Sequence, residues 1–323
     1  MIHDLSRFAF RWCATVVTCG LAFLALVLSA ARHASAGQLL YVTSTSGQQI
    51  LTADTGTNVV TPVFNTVGQP DSLLFDNNQN IIYSNLQTGQ VRRINKTTHS
   101  DTLIAGGFSD PADIALEPGG GSLLLSDFAG GQIFRINLTT NAVTTLGVYG
   151  GNPQGLAYDN LGRLFANLGT RSGGATSFLA QLNPVTGAIL RQSIGLVSLD
   201  GLTFDSFSGK LFDPSLSGAG IYQIDPATLA VTLLPGSSGV AFDGITNDAA
   251  GNLYIANSGN RIYQYNLPTL TLTPETVVGG LDDLAPAAGL GSTPEPAGLT
   301  LLCIGAAGLG GYTWRRSRRI ETG

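Results

Sequence analysis

Hydrophobic and polar positions repeat along this chain with a period of about 42 residues. A short apolar run that ends at Asn or Asp, and is followed by a turn, occurs six times. Asn and Asp side chains cap the backbone two residues further on and tolerate turn dihedrals, so each repeat predicts a tight turn between two strands. The six Asx residues are 41, 42, 46, 42 and 41 residues apart: Asp54, Asn95, Asn137, Asn183, Asp225 and Asn266.

Three further runs keep the same period and predict the architecture. Nearly continuous apolar runs such as Ile81–Ser84 precede the turns and are typical of strands buried on both faces. Another run, such as Leu73–Asp76, lies upstream, and a fourth, such as Ala230–Leu234, follows the turn. Four antiparallel strands per repeat form one blade, so the sequence predicts an all-β, six-bladed β-propeller. A β-sandwich followed by other all-β domains is the alternative, but it does not explain evenly spaced turns.

The first repeat lacks its innermost strand, and the missing strand is at the other end of the chain. The segment Leu281–Pro286 aligns with the innermost strands of the two preceding repeats, and no further blade follows it. We predict that Leu284 to about Gly289 pairs with the strand at Leu39, because closing the ring removes exposed strand edges. The fourth repeat is four residues longer, and we place these residues in the glycine-rich loop 169–176.

One repeat carries a resemblance to known propellers. The segment Phe242–Asn257 resembles blades of NHL-repeat proteins, of gluconolactonase and regucalcin-like propellers, and of virginiamycin B lyase. The resemblance extends over most of residues 37–291, which we assign to the propeller domain. Its motif mostly encodes a blade, so it implies the fold rather than an activity.

The N-terminal residues 1–36 have the pattern of a secretory signal peptide. Arg7 and Arg11 precede the uncharged, mostly apolar stretch Trp12–Leu28, and the small residues Ala34 and Ala36 form an A-x-A cleavage site. We therefore expect signal peptidase to cut after Ala36 during export. An uncleaved N-terminal anchor is the alternative.

The C-terminal residues 292–323 have the pattern of a sorting signal. An uncharged run, 297–314, has 18 residues, and as a helix it spans about 27 Å, enough for a thin membrane. The arginines that follow favour the cytoplasmic side, which places the propeller outside. A plain tail anchor shares the span and the arginines but not the Pro-Glu-Pro before them. The motif residues are Pro294, Glu295, Pro296, Arg315, Arg316, Arg318 and Arg319.

This arrangement resembles the PEP-CTERM sorting signal of Gram-negative bacteria. The resemblance implies recognition and cleavage by an exosortase-type membrane protease. It also implies a transient membrane helix at 297–314 and a final location at the cell surface or in the extracellular matrix.

Composition excludes one class of partner. Residues 37–293 contain 9 Lys and Arg against 18 Asp and Glu, a formal charge of 9 − 18 = −9, whereas the whole chain carries −5. Nucleic acid is therefore excluded as a partner, because binding it requires clustered basic residues. All three cysteines, Cys13, Cys19 and Cys303, lie outside this range, so the exported part must be stabilised by core burial without disulfides.

Candidate chemistry lies at one repeated position, two residues before the first aliphatic residue of each innermost strand. We call it the lead position. Several carboxylates around a narrow channel repel one another unless a cation or shared protons relieve them, and oxygen ligands suit Ca²⁺ or Mg²⁺. The alternative is that these aspartates only cap turns at the starts of strands. The lead positions hold Asp71, Ala112, Gln154, Asp200, Asp243 and Asp282.

The resemblance to gluconolactonase and regucalcin implies a divalent ion in the channel, held by carboxylates and an Asn. Asp200 and Asp243, each followed by Gly and an aliphatic residue, match the metal-binding Asp of that family. Gln154 stands where the family has Asn, and its early Glu ligand has no clear counterpart here. We therefore predict a Ca²⁺ or Mg²⁺ site at Asp71, Asp200, Asp243 and Asp282.

The sequence contains no catalytic constellation that we can assign. His99 is the only histidine in residues 37–293 and lies in a turn, and without a second histidine or a cysteine no catalytic triad or thiol nucleophile forms. The first hypothesis is an exported, non-catalytic module that binds an exopolysaccharide or a surface protein. The alternative is a divalent-metal-dependent, lactonase-like hydrolase that uses the channel aspartates.

Processing at both ends is testable in the producing cells. We expect mass spectrometry of the surface or matrix fraction to find a product from Gly37 to near Pro294, because signal peptidase and the exosortase-type protease remove the two ends. An intact Arg315–Arg319 tail in the mature protein would indicate a permanent anchor instead.

Overall fold

A computed structural model describes residues 37–169, 176–258 and 260–286. The predicted signal peptide, sorting segment and most of the glycine-rich loop lie outside the described residues. Within these ranges the chain forms six antiparallel sheets, and no helix there is long and apolar enough to cross a membrane. The predicted all-β, six-bladed propeller is confirmed.

Each blade has four strands that run outward from the channel, in chain order except in the first blade, and blade four has a short fifth strand as well. Blade one contains β1 (Leu39–Ser44), β2 (Gln49–Asp54) and β3 (Val59–Asn65). Blade two contains β4 (Pro70–Phe75), β5 (Ile81–Asn85), β6 (Gln90–Ile94) and β7 (Asp101–Gly106). Blade three contains β8 (Pro111–Leu116), β9 (Ser122–Asp127), β10 (Gln132–Asn137) and β11 (Val143–Val148).

The second half of the ring repeats this order. Blade four contains β12 (Asn152–Tyr158), β13 (Leu164–Gly169), β14 (Thr176–Leu182) and β15 (Ile189–Gln192), with the short β16 (Leu196–Val197) also paired to β14. Blade five contains β17 (Thr203–Asp205), β18 (Lys210–Pro214), β19 (Ile221–Ile224) and β20 (Val231–Leu233). Blade six contains β21 (Phe242–Asn247), β22 (Asn252–Asn257), β23 (Arg261–Asn266) and β24 (Thr271–Val277).

The two ends of the described chain close the ring. Strand β25 (Leu281–Pro286) pairs antiparallel with β1, with Leu284 opposite Val42 and Pro286 opposite Leu40. It is therefore the innermost strand of blade one, as the repeat alignment predicts. Residues 287–289, which we also expected in this pairing, lie outside the described residues.

The six predicted turns form as the Asx chemistry requires. The Asn95 Oδ1 atom accepts hydrogen bonds from the backbone N–H groups of Thr97 and Thr98, at 2.9 and 2.8 Å. The corresponding side-chain oxygen does the same in four other repeats, and Asn266 Oδ1 accepts the single N–H of Thr269 because residue 268 is a proline. These turns explain the even spacing in the sequence. The other five are Asp54, Asn137, Asn183, Asp225 and Asn266.

The hydrophobic core lies between the faces of neighbouring blades. Tyr41 and Ile50 of blade one pack with Leu73, Ile81 and Tyr83 of blade two in one buried cluster. The same arrangement recurs around the ring, including the join between blades one and six. Alternate side chains of one strand therefore enter two different clusters, which is why these strands are apolar on both faces.

A β-bulge interrupts each innermost strand. In β4, Pro70 pairs with Asn85 and Leu73 pairs with Tyr83, so Asp71 and Ser72 together face the single residue Ser84. Among the described residues, every blade has such an extra residue on its innermost strand at this point. A bulge re-aims side chains. It therefore brings the lead position and the residue after it to the same place beside the channel.

Ring closure predicts a difference between two leucines. Leu284 is 2 % exposed and packs against Leu40 and Val42 across the join, whereas Leu39 at the start of β1 is 41 % exposed. We expect Leu284→Ala to lower the free energy of unfolding by about 2 to 4 kcal/mol. The matched change Leu39→Ala is expected to cost less than about 1 kcal/mol. Denaturant unfolding measures both, and equal losses would contradict the closure.

Candidate functional site

The six innermost strands surround a central channel of about 1240 Å³. Its wall begins at the lead positions and continues to the turns that follow the innermost strands, such as those at Asp76, Glu117 and Asp159. Residues from all six blades therefore contribute to one cavity. The channel combines carboxylate side chains with apolar wall residues such as Leu74, Leu116 and Phe204.

All six lead positions line the channel, but their side chains do not converge on one point. The Asp200 Oδ1 atom accepts a hydrogen bond from Gln154 Nε2 at 3.1 Å, which joins blades four and five. Thr45 Oγ1 lies within hydrogen-bond distance of Asp282 Oδ2, at 3.2 Å. Asp71 and Asp243 are each 9 % exposed. These aspartates therefore lie along the wall with contacts of their own.

A divalent ion needs several oxygen ligands around a single centre. Across the described ranges, no three or more His, Cys, Asp or Glu side chains are grouped so that they could hold a metal ion. We derive no chemistry through a metal at this ring, and metal binding there stays a prediction.

The position after the lead position forms the tightest polar network in the channel. Ser72 Oγ lies 2.8 Å from Asp113 Oδ1 in blade three and 2.8 Å from Asp283 Oδ2 in blade one. The other oxygen of Asp113 accepts the backbone N–H of Leu156 in blade four at 2.6 Å. One continuous chain of hydrogen bonds thus joins four neighbouring blades.

Counting protons shows that this network is not fully ionised. A serine hydroxyl has one hydrogen and therefore donates to only one carboxylate at a time. Two contacts of 2.8 Å from the same Ser72 oxygen require a second proton, which must come from Asp113 or Asp283. The pair therefore shares a proton through Ser72, and the two carboxyls titrate as a coupled unit.

The surroundings of the two aspartates agree with this count. Burial raises the pKa of Asp113 to about 6, although hydrogen bonds from Leu156, Ser72 and Ile114 oppose the rise. Burial also raises the pKa of Asp283 well above its ordinary value, and the charge of Asp113 adds to this effect. Both side chains are nevertheless half-buried and line the channel, so a ligand can reach them.

The opposite half of this ring contains only glycine, because the blades approach closely there. A Cβ atom on Gly155 would lie 2.5 Å from the carbonyl oxygen of Asp200, and one on Gly244 would lie 2.3 Å from Asp283 Oδ1. Neither distance is compatible with a side chain. The network is therefore asymmetric, with Asp283, Ser72 and Asp113 on one side and glycines on the other.

The acidic residues at the far end of the channel stabilise the turns there. Asp76 Oδ1 accepts the N–H groups of Asn78 and Asn80 at 2.9 and 2.8 Å, and Asp159 and Asp248 make the same contacts in their blades. Glu117 forms an ion pair with Arg135 at 2.8 Å. These groups hold the rim of the channel in place.

His99 lies away from the channel. Its side chain is exposed in the turn before β7, and its ring packs edge-on against Phe64 with centroids 5.1 Å apart. It has no carboxylate or hydroxyl partner from the channel, so it is not placed to act as a general base there.

Sequence reasoning found the lead positions but missed Ser72, Asp113 and Asp283. In a regular strand, adjacent residues point to opposite faces, so the residue after each lead position is expected to turn away from it. The bulge removes this alternation. Comparing the residue after each lead position across the repeats would have shown that it is acidic in only two of the six blades.

No protein-family model and no curated protein sequence matches the chain. Among solved structures, a chain of the nidogen/laminin complex is similar with a TM-score of 0.67 and 19 % identity, covering 78 % of this chain and 99 % of that chain. Virginiamycin B lyase from Staphylococcus aureus is similar with a TM-score of 0.55 and 14 % identity, covering 73 % and 80 %. Kuenenia stuttgartiensis hydrazine synthase has a TM-score of 0.56 and 16 % identity, covering 72 % and 74 %. At these identities the similarity shows the propeller fold alone, which binding complexes and enzymes share.

Proposed function

We propose that this chain is an exported propeller that binds an exopolysaccharide through its central channel and does not catalyse a reaction on it. The observation that carries the proposal is the channel itself, a cavity of about 1240 Å³ whose wall holds carboxylates from several blades. A cavity with apolar wall residues and a small number of polar groups is a usual place for a ligand to bind.

The chemistry of the wall suits a ligand that is rich in hydroxyl groups. Asp71, Asp200, Asp243 and Asp282 offer carboxylate oxygens, which only accept hydrogen bonds when ionised. Sugar hydroxyls donate such bonds, and the apolar wall residues offer surface for the faces of sugar rings. The negative charge of the body, −9 between residues 37 and 293, disfavours strongly acidic polymers.

The composition of the described residues supports binding over catalysis. Residues 37–286 contain a single histidine, His99, and no cysteine, and His99 is outside the channel. Nucleophilic catalysis by serine or threonine needs an adjacent base to activate the hydroxyl. Ser72, the hydroxyl in the network, contacts two carboxyls that share a proton and not an imidazole.

The location of the protein is part of the proposal. Signal peptidase would release residues 1–36, and an exosortase-type protease would cut near Pro294, after transient anchoring by the helix at 297–314. The propeller would then remain at the surface or in the matrix of a Gram-negative cell. The Pro-Glu-Pro motif and the arginine tail in the sequence support this part.

A binding assay with the producer's own exopolysaccharide tests the proposal. We expect the double variant Asp243→Asn, Asp282→Asn to bind at least about tenfold more weakly than the wild type, because hydrogen bonds to charged groups contribute about 1.5 to 3 kcal/mol each. Isothermal titration calorimetry with the full chain measures this loss.

The control for this assay is His99→Ala, which changes an exposed residue outside the channel and is expected to bind normally. Equal affinity of the double variant and the wild type would contradict a channel site. Capture of a surface protein with no affinity for the polysaccharide would contradict the choice of ligand. Release of new reducing ends during the assay would favour a hydrolase.

A lactonase-like hydrolase is the second candidate, and the network of Asp113, Ser72 and Asp283 is what favours it. Sequence reasoning assigned this activity to a divalent metal at the lead positions. The network offers a different device, because a carboxyl that keeps its proton near neutral pH is a general acid, and its ionised partner is a base for water.

The protonation of this network predicts how stability depends on pH. In the unfolded chain both carboxyls ionise near pH 4, whereas in the folded protein the pKa of Asp113 is about 6 and that of Asp283 is raised. The folded state therefore holds more protons above pH 4, and the wild type loses stability as the pH rises from about 4 through 6.

The variant Asp283→Asn removes one charge and keeps an acceptor for Ser72. We expect it to match the wild type at pH 4 and to be more stable by about 1 to 2 kcal/mol at pH 7 to 8, after allowance for screening by channel water. Asp54→Asn is the control, since Asn95 shows that an asparagine is accepted at the equivalent turn position of another repeat. This variant should not become more stable relative to the wild type as the pH rises. Denaturant unfolding from pH 4 to 8 measures the stability difference between the variant and the wild type. A difference that does not change with pH would refute the shared proton.

A further inference from the structure

The residue opposite the bulge has the same structural task in three blades, where it is a serine or a threonine. In blade two, Ser84 Oγ accepts the backbone N–H of Ser72 at 2.9 Å and donates to the carbonyl oxygen of Ala112 in the next blade at 2.7 Å. Ser126 and Thr43 likewise accept the N–H of the bulge residue in their own blades. The position holds Thr43, Ser84, Ser126, Asn167, Pro214 and Ala256.

In blade five the residue opposite the bulge is Pro214, which has no side-chain donor, and Asp213 precedes it on β18. Asp213 lies at a strand position that holds an apolar residue in every other blade: Val42, Tyr83, Leu125, Ala166 and Ile255. The Asp213 side chain is completely buried, and neither of its oxygens has a hydrogen-bond partner among the described residues. No described Lys or Arg forms an ion pair with it.

The neighbouring blade adds a second buried oxygen without a partner. Asn167 is 2 % exposed, and its Nδ2 atom donates to the carbonyl oxygens of Asp200 and Gly201 at 2.9 and 3.3 Å. These two contacts fix the orientation of the amide, because the reversed amide would place two oxygens against each other. The Asn167 Oδ1 atom is then left without a partner within the part of the chain that the structure describes.

Asn167 and Asp213 belong to one local group. The Asn167 amide and the backbone of Asp200 are the polar groups that favour the ionised form of the Asp213 carboxyl, although neither reaches the geometry of a hydrogen bond. Both Asp213 oxygens and the Asn167 Oδ1 atom are therefore buried acceptors that lack a donor in hydrogen-bond geometry among the described residues. Burying such an atom without a partner costs about 1 to 3 kcal/mol. We therefore expect these oxygens to have a partner in the native protein.

We propose that Asn167 and Asp213 hold a calcium ion between blades four and five. A proton on Asp213 would satisfy itself and at most one further oxygen, whereas one cation satisfies all three at once. Carboxylate and amide oxygens are ligands of hard cations, and the nearby carbonyls of Asp200 and Gly201 extend the oxygen-rich surroundings. Calcium accepts irregular sets of such ligands at 2.3 to 2.6 Å, whereas Mg²⁺ demands a near-octahedral set and zinc prefers nitrogen and sulfur.

This ion lies at a different place from the one predicted at the lead positions. It is held by the second strands β13 and β18, behind the innermost strands, and its ligands do not line the channel. Its role is to join blades four and five, as the Ser84 hydroxyl joins blades two and three. The proposal of this calcium site does not depend on whether the channel binds a polysaccharide. An experiment that contradicts one of the two proposals therefore leaves the other unaffected.

Metal analysis of the purified full chain tests the site. We expect one calcium per wild-type chain after dialysis against millimolar CaCl₂, and a rise in the melting temperature of about 5 to 10 °C over the EDTA-treated protein when calcium exceeds its Kd a hundredfold. Terbium provides a second readout, because Tyr222 pairs directly with Asp213 across β18 and β19 and can sensitise its luminescence.

Two substitutions at Asp213 make the test decisive. Asp213→Asn removes the charge and keeps the shape, and Asp213→Ser removes the carboxylate altogether. Both are expected to lose the calcium, the melting shift and the terbium signal. Asp243→Asn, which changes a lead position, is the matched control and should retain all three.

Three outcomes would overturn the proposal. One is the absence of bound calcium and of any melting shift at millimolar Ca²⁺. Another is a calcium content that survives both substitutions of Asp213. The last is loss of calcium in Asp243→Asn with retention in Asp213→Asn, which would place the ion in the channel.

Discussion

The burial of blade faces against one another is the constraint on which the rest of this structure depends. Each blade is a thin sheet with two apolar faces, and both must be covered by neighbours. Residues 37–286 contain no cysteine, so no disulfide can hold an incomplete ring together. Pairing of β25 with β1 therefore completes blade one, so that its faces and its inner edge are satisfied together. The terminal segments are far apart in sequence, and their association defines the ring.

The close approach of neighbouring blades also determines the structure of the channel wall. Where innermost strands approach most nearly, the bulges leave backbone N–H groups that need acceptors. Asp113 accepts the N–H of Leu156 and Asp283 that of Leu73, both from the neighbouring blade. Polar groups that line the channel thus also hold the blades together. A ligand in this channel would meet side chains whose positions are already fixed by the fold, which reduces the entropy that binding costs.

Departures from the repeat are the places where chemistry becomes specific. The residue after the lead position is a serine or a glycine in four of the six blades and carries no charge there. Asp113, Asp283 and Asp213 put carboxyls into positions where the rest of the ring does without them. A repeat protein offers its own internal comparison for each such residue. Local conflicts of this kind concentrate at functional or strained sites, because the fold itself gains nothing from them.

The amino-acid sequence by itself determined the blade count, the Asx turns and the ring closure, because these follow from local periodicity and turn chemistry that the chain displays six times. It also predicted that the lead positions face the channel. Only the tertiary structure decided which side chains meet, since the bulges abolish strand alternation and contacts such as Ser72 with Asp283 join residues 211 positions apart. The buried oxygens of Asn167 and Asp213 were equally invisible, because burial and the absence of a partner are properties of packed neighbours and not of the residues themselves.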